Sequence, residues 1–136
     1  MRLILGFVLA VTGGAAIAEP FCRTGSRDVV QLVSWEVGGP AAIREYTEIN
    51  LEFLVNTDQQ PIAIAGTVTF YDPLDRKIED SSLPGIPEFH DFPSLQGTAW
   101  WISASVESVG RLGSENVTVL VCTTRVAYAD GTVEDF

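Results

Sequence analysis

Apolar and polar residues alternate with a period of two over most of this chain, and no long stretch repeats its apolar residues at helical spacing. The clearest case is Ile49, Leu51, Phe53 and Val55 set against Asn50, Glu52, Leu54 and Asn56, the pattern of a strand with one face buried. Upstream, Val29 to Val37 predicts a first strand with Val33, Trp35 and Val37 on one face and Ser34 and Glu36 on the other, ended by Gly38-Gly39-Pro40. Ala41 to Tyr46 is long enough for one helical turn only.

Downstream, Asn56 to Pro61 is rich in turn residues, and a third strand follows with Ile64, Val68 and Phe70 opposite Thr67, Thr69 and Tyr71. Asp72-Pro73-Leu74-Asp75 reverses the chain, and Arg76 to Ile78 returns as a short strand. Residues 79–97 carry Pro84, Gly85, Pro87, Pro93 and Gly97, which predict a long irregular loop. Strand pattern resumes at Thr98, with Trp100, Ile102, Ala104 and Val106 facing in and Trp101, Ser103, Ser105 and Glu107 facing out. A turn is expected over Gly110 to Glu115. Val117 to Tyr128 is apolar on both parities through Val121, as in a strand covered on both sides or bent by a bulge. Asp130-Gly131 is a two-residue hairpin signal that returns Thr132 to Phe136 as a last short strand. These parities place Phe53, Val55, Val68, Phe70, Trp100 and Ile102 in one core.

Six or seven short strands separated by turns predict an all-β, immunoglobulin-like antiparallel β-sandwich, with a small β-barrel as the alternative. Within that pattern, Leu54-Val55-Asn56-Thr57, Pro61-Ile62, Val68-Thr69-Phe70-Tyr71-Asp72 and Ile78, followed by a proline-containing loop and another strand, resemble the bacterial extracytoplasmic FxLYD-type immunoglobulin-like domains. The resemblance covers roughly residues 45–110. It implies a sandwich with an accessory or interaction role, and it offers no catalytic residues to carry over.

The first 18 residues change the picture of where the chain works. Arg2, the apolar run Leu3 to Val11 and the small-x-small site Ala16-Ile17-Ala18 have the layout of a secretory signal peptide, so residues 1–18 are expected to be removed and residues 19–136 to form a single domain. The run is short of the roughly 20 residues of a membrane span and is broken by Thr12-Gly13-Gly14, so no stable membrane anchor is expected after cleavage. Glu19-Pro20-Phe21 before Cys22 does not suit a lipidated cysteine. The expected location is the periplasm or the exterior.

Two cysteines, Cys22 and Cys122, in an exported chain predict one disulfide. Closing a loop of that length stabilises by roughly 4 to 5 kcal/mol in the chain-entropy treatment. The whole sequence carries a formal charge of −10; cleavage would remove Arg2 and none of the 18 acidic residues, giving −11. That charge repels nucleic acid and anionic lipid, so neither is an expected partner.

Candidate chemistry is sparse. His90 is the one histidine, and Ser81, Ser82 and Ser94 lie in no nucleophile-elbow pattern, so no catalytic group and no cofactor are assigned. With two cysteines and one histidine, a closed zinc site lacks ligands. Asp72, Asp75, Glu79 and Asp80 form the densest acidic cluster and raise the question of calcium, although their spacing is not that of an EF-hand and Asp72 suits a turn cap, with Asp75 offset by Arg76 and Lys77. Asn116-Val117-Thr118 matches the glycosylation tripeptide, which has meaning only in a eukaryotic secretory pathway.

Aromatic residues give the better lead: Trp101 and Tyr71 fall on solvent parity, and Phe89, His90 and Phe92 cluster in the proline-rich loop. Tyr71, Phe89, Phe92 and Trp101 are therefore the expected partner-binding residues. The reading that follows is a non-catalytic interaction domain for an envelope protein partner, the alternative being a small carbohydrate- or ligand-binding module that uses these aromatics as its platform.

Overall fold

A computed structural model describes residues 20–38, 47–83, 92–101 and 104–136. Residues 1–18, the possible helical turn at 41–46, and Phe89, His90 and Ile102 lie outside the described residues. Residues 98–101 are described by backbone alone.

Two antiparallel sheets face each other, and they do not close into a barrel. The first contains β1 (Val30–Val37), β2 (Thr47–Val55) and β5 (Ser94–Trp101) in the order β1-β2-β5. The second contains β3 (Pro61–Tyr71), β4 (Lys77–Ser82), β6 (Thr118–Tyr128) and β7 (Val133–Asp135) in the order β4-β3-β6-β7. One helix, α1 (Ala104–Leu112), links β5 to a short 3-10 turn at Ser114–Asn116. The β-sandwich is as expected from the period-two pattern.

Ile49, Leu51, Phe53 and Val55 of β2 are buried, as their alternation required, and meet Ile64, Val68 and Phe70 of β3 in a single core. Pro93 accepts a hydrogen bond from Val55 N at 2.8 Å, which fixes the entry into β5. Val33 corrects the expected inward set of β1. A bulge between Leu32 and Ser34 shifts the register against β2, so Val33 is the extra residue and stands 59% exposed, while Leu32 and Trp35 pack on the core.

The loop expected over 79–97 is shorter, because β4 runs on to Ser82 and β5 starts at Ser94. Leu95 is buried opposite Phe53, and that pairing sets the phase of β5. By register, Gln96 and Trp100 share one row, and Leu95, Gly97 and Trp101 share the other, opposite Phe53, Leu51 and Thr47. The expected parity of Trp100 and Trp101 is thereby reversed. The strand expected to continue to Glu107 ends at Trp101, and residues 104–112 form α1, whose Val109 is fully buried in the core. Ala104 and Val106 supplied the apparent alternation but belong to the helix.

The second sheet follows the sequence more closely. β6 has Leu120, Val121, Cys122 and Thr123 all buried: Val121 enters the sandwich core, Cys122 is covered by its disulfide to Cys22, and Ser26 pairs along the edge of the strand at Thr123. Cys22 and Cys122 form the expected disulfide, and Ser26 exchanges two main-chain hydrogen bonds with Thr123 at 2.8 and 2.9 Å. A register shift opposite Ala65 and Gly66 bends β6. Gly66 allows the close approach, since a Cβ there would overlap the Cys122 carbonyl oxygen and the Leu83 side chain. The β6–β7 connection is a three-residue loop, Ala129 to Gly131, with Gly131 at φ 88°, rather than the two-residue turn expected.

A groove beside the β3–β4 turn

Asp72 organises the turn that leaves β3. Its Oδ1 accepts hydrogen bonds from Leu74 N at 2.8 Å and Arg76 N at 3.0 Å, its main-chain carbonyl accepts from Asp75 N at 3.0 Å, and Asp75 takes a left-handed φ of 58°. Arg76 then folds back so that Nε and Nη2 both lie 2.8 Å from Asp72 Oδ2. The main-chain hydrogen bond from Arg76 lowers the Asp72 pKa most; desolvation opposes it, and the Arg76 guanidinium and Leu74 N add to the lowering, leaving the carboxyl below its ordinary pKa. The local consequence is a rigid turn with Leu74 at its tip, 63% exposed.

α1 packs beside this turn. Arg111 stands four residues after Glu107, with Nη2 3.8 Å from Oε1, and both side chains are exposed. The end of the helix is fixed by Gly113, whose N–H donates to the Val109 carbonyl at 3.1 Å with φ 77°, and by Asn116, whose Nδ2 donates to the Leu112 carbonyl at 2.9 Å. Asn116, the acceptor position of the glycosylation tripeptide, thus caps the helix.

Between turn and helix runs an open groove of about 630 Å³. Pro73, Leu74, Ile78 and Leu112 give it an apolar floor, and Arg76 and Arg111 stand on its two sides. Leu112 and Ile78 also touch the core, so the floor is anchored to the body of the sandwich. The arrangement suits recognition of a chain segment that offers apolar side chains to the floor and polar groups to the guanidinium donors.

The acidic cluster does not act as one group. Asp72 pairs with Arg76, and Asp80 with Lys77 at 3.2 Å, so Arg76 and Lys77 serve Asp72 and Asp80 rather than offsetting Asp75 as expected. Among the described residues no three His, Cys, Asp or Glu side chains are placed to hold a metal ion.

Of the four aromatic positions expected to bind a partner, Phe89 lies outside the described residues. Tyr71 is half-buried on β3, and Phe92 packs against the core rather than standing free. Trp101 is in the other sheet from Tyr71, in the register row of Leu95. Among the described residues, Tyr71 and Trp101 thus stand in different sheets and Phe92 lies against the core. Leu74, Arg76, Ile78, Arg111 and Leu112 had no part in the expected site. The available signals were a leucine following proline at the tip of an aspartate-capped turn, and Glu107 spaced four residues before Arg111. Neither the family models, nor the curated proteins, nor the solved structures contain a match to this chain, so the geometry of the groove carries the functional reading.

Proposed function

We propose that this chain is an exported, non-catalytic interaction domain of the bacterial envelope that binds a protein partner through the groove between the β3–β4 turn and α1. The observation that carries the reading is Leu74: a large aliphatic side chain left 63% exposed by the turn that Asp72 organises, where it lines the groove together with Pro73, Ile78 and Leu112. A leucine left that exposed adds little to fold stability, whereas a partner would gain by covering it. The resemblance of residues 45–110 to FxLYD-type domains supports an accessory role. A disulfide, together with the absence among the described residues of any helix long and apolar enough to cross a membrane, fits an extracellular, non-membrane protein.

The test is in-cell crosslinking of the exported domain, with a photoreactive residue at position 74 and a control at Thr67 on β3. A discrete adduct from position 74, lost on Arg111→Glu, is the expected result. Equal labelling from both positions, or a bound small molecule in native mass spectrometry, would replace this reading with a different surface or with a ligand-binding module.

A further inference from the structure

We infer that the groove takes an extended acidic segment of the partner in which an aspartate or glutamate stands beside a large aliphatic side chain; the inference rests on the groove being the partner site. Arg76 supplies the first argument. Asp72 Oδ2 engages Nε and Nη2, which leaves Nη1 and the outer edge of a guanidinium whose side chain is 73% exposed. A guanidinium fixed on one edge presents a pre-set fork of donors on the other, and the geometry matches a second carboxylate. Arg111 supplies the second. Its contact with Glu107 is beyond hydrogen-bond range, and a surface pair of that kind is readily exchanged for a better acceptor.

The third argument concerns charge over the whole chain. The formal charge is −10, but the charged residues that line the groove are Asp72, Arg76 and Arg111, two guanidiniums to one carboxylate, with Asp75 and Glu107 outside the lining, so an approaching carboxylate meets less repulsion here than the chain's charge would suggest. A basic segment would meet an aspartate whose oxygens already accept hydrogen bonds from Leu74 N, Arg76 N and the Arg76 guanidinium. Beside the donors, Leu74, Ile78 and Leu112 give the adjoining aliphatic side chain its apolar contact.

The experiment titrates the mature, oxidised domain with three blocked peptides: alternating Asp and Leu, alternating Lys and Leu, and alternating Asp and Ser. Amide shifts in heteronuclear NMR report the site. The Asp/Leu peptide should saturate with shifts confined to Leu74, Ile78, Arg111, Leu112 and their neighbours, and should bind about tenfold more tightly than either of the others. Leu74→Ser and Arg111→Gln should each weaken it about tenfold at unchanged melting temperature, since both side chains are exposed. Preference for the Lys/Leu peptide, shifts centred elsewhere, or saturation by decanoate but not by peptide would each overturn the acidic-segment assignment. Crosslinking from position 74 separates the two levels: an adduct without Asp/Leu binding leaves the partner site standing and removes only its chemistry, while loss of both removes the site.

Discussion

Trp35 and Phe70 meet across the two sheets, with ring centroids 5.7 Å apart and planes inclined at 67°. Trp35 comes from β1 and Phe70 from β3, so this edge-to-face pair joins layers that share no main-chain hydrogen bonds at that point. Beyond the area they bury, such pairs contribute about 0.5 to 1.5 kcal/mol. A double-mutant cycle with Trp35→Leu and Phe70→Leu, read by urea unfolding, should return a coupling energy in that range. A value near zero would mean that the rings only fill space.

The register of β2 makes a sharper contrast between neighbours. Phe53 is almost fully buried, whereas Glu52 lies on the outer face and accepts a hydrogen bond from Ser34 Oγ at 3.1 Å. Phe53→Ala should cost about 3 to 5 kcal/mol, and Glu52→Ala less than about 0.5 kcal/mol. Similar small losses at both positions in chemical denaturation would refute the register.

Thr123 is fully buried, and its Oγ1 has no hydrogen-bond partner. A desolvated hydroxyl without a partner costs free energy that a methyl group does not. Thr123→Val should therefore raise stability by about 1 kcal/mol, with Thr123→Ala lowering it through the lost methyl packing. Calorimetric melting of both variants checks the order.

Three groups, two carboxyls and a phenol, set the pH limits. Asp72 has its pKa lowered from 3.8, first by the Arg76 main-chain hydrogen bond, and Asp130 likewise by Thr132. Their folded values lie below the unfolded ones, so their contributions are present above the unfolded pKa and are lost as pH falls through the folded values. Tyr128 has its pKa raised from 10.0, chiefly by burial and then by Glu134, so its contribution is full below the unfolded value and is lost as pH rises through the folded one. Asp72→Asn should lower the melting temperature at neutral pH and converge with the parent in acid. Tyr128→Phe should flatten the alkaline limb. Parallel curves for variant and parent would contradict these assignments.

Much of this fold was legible in the sequence where one face is buried and the other wet. β2 reads directly from Ile49 to Val55, β3 from Ile64 to Phe70, and the reversal at Asp72-Pro73 from turn chemistry. The disulfide followed from the cysteine count and the export that the first 18 residues lead one to expect. The failures have local causes. A bulge turned Val33 outward, and periodicity carries no mark of an inserted residue. α1 is nine residues long, and its small and polar residues after Trp101 continue a false alternation. That extension, with Leu95 assigned to a loop, put β5 out of phase. The groove was hidden for a different reason: it forms where a turn and a helix some thirty residues apart come together, and a single exposed leucine leaves no periodic mark in the sequence.

The disulfide has a mechanical consequence. Tension applied at residue 22 passes through sulfur to Cys122 without entering the chain between them, so β1 through β5 and α1 lie outside the load path. Cys22 is bonded to Cys122 and Phe136 N donates to the Thr124 carbonyl at 3.0 Å, which places the two pulled points two residues apart on β6. Between Cys122 and Phe136 the load runs through 14 residues, at most roughly 50 Å of extended chain at up to about 3.6 Å per residue. Extending that segment would strip Thr123 to Tyr128, with buried Val126 and Tyr128, from β3, so a load applied between these points is met first by β7 and the C-terminal half of β6, while the chain closed by the disulfide carries no tension.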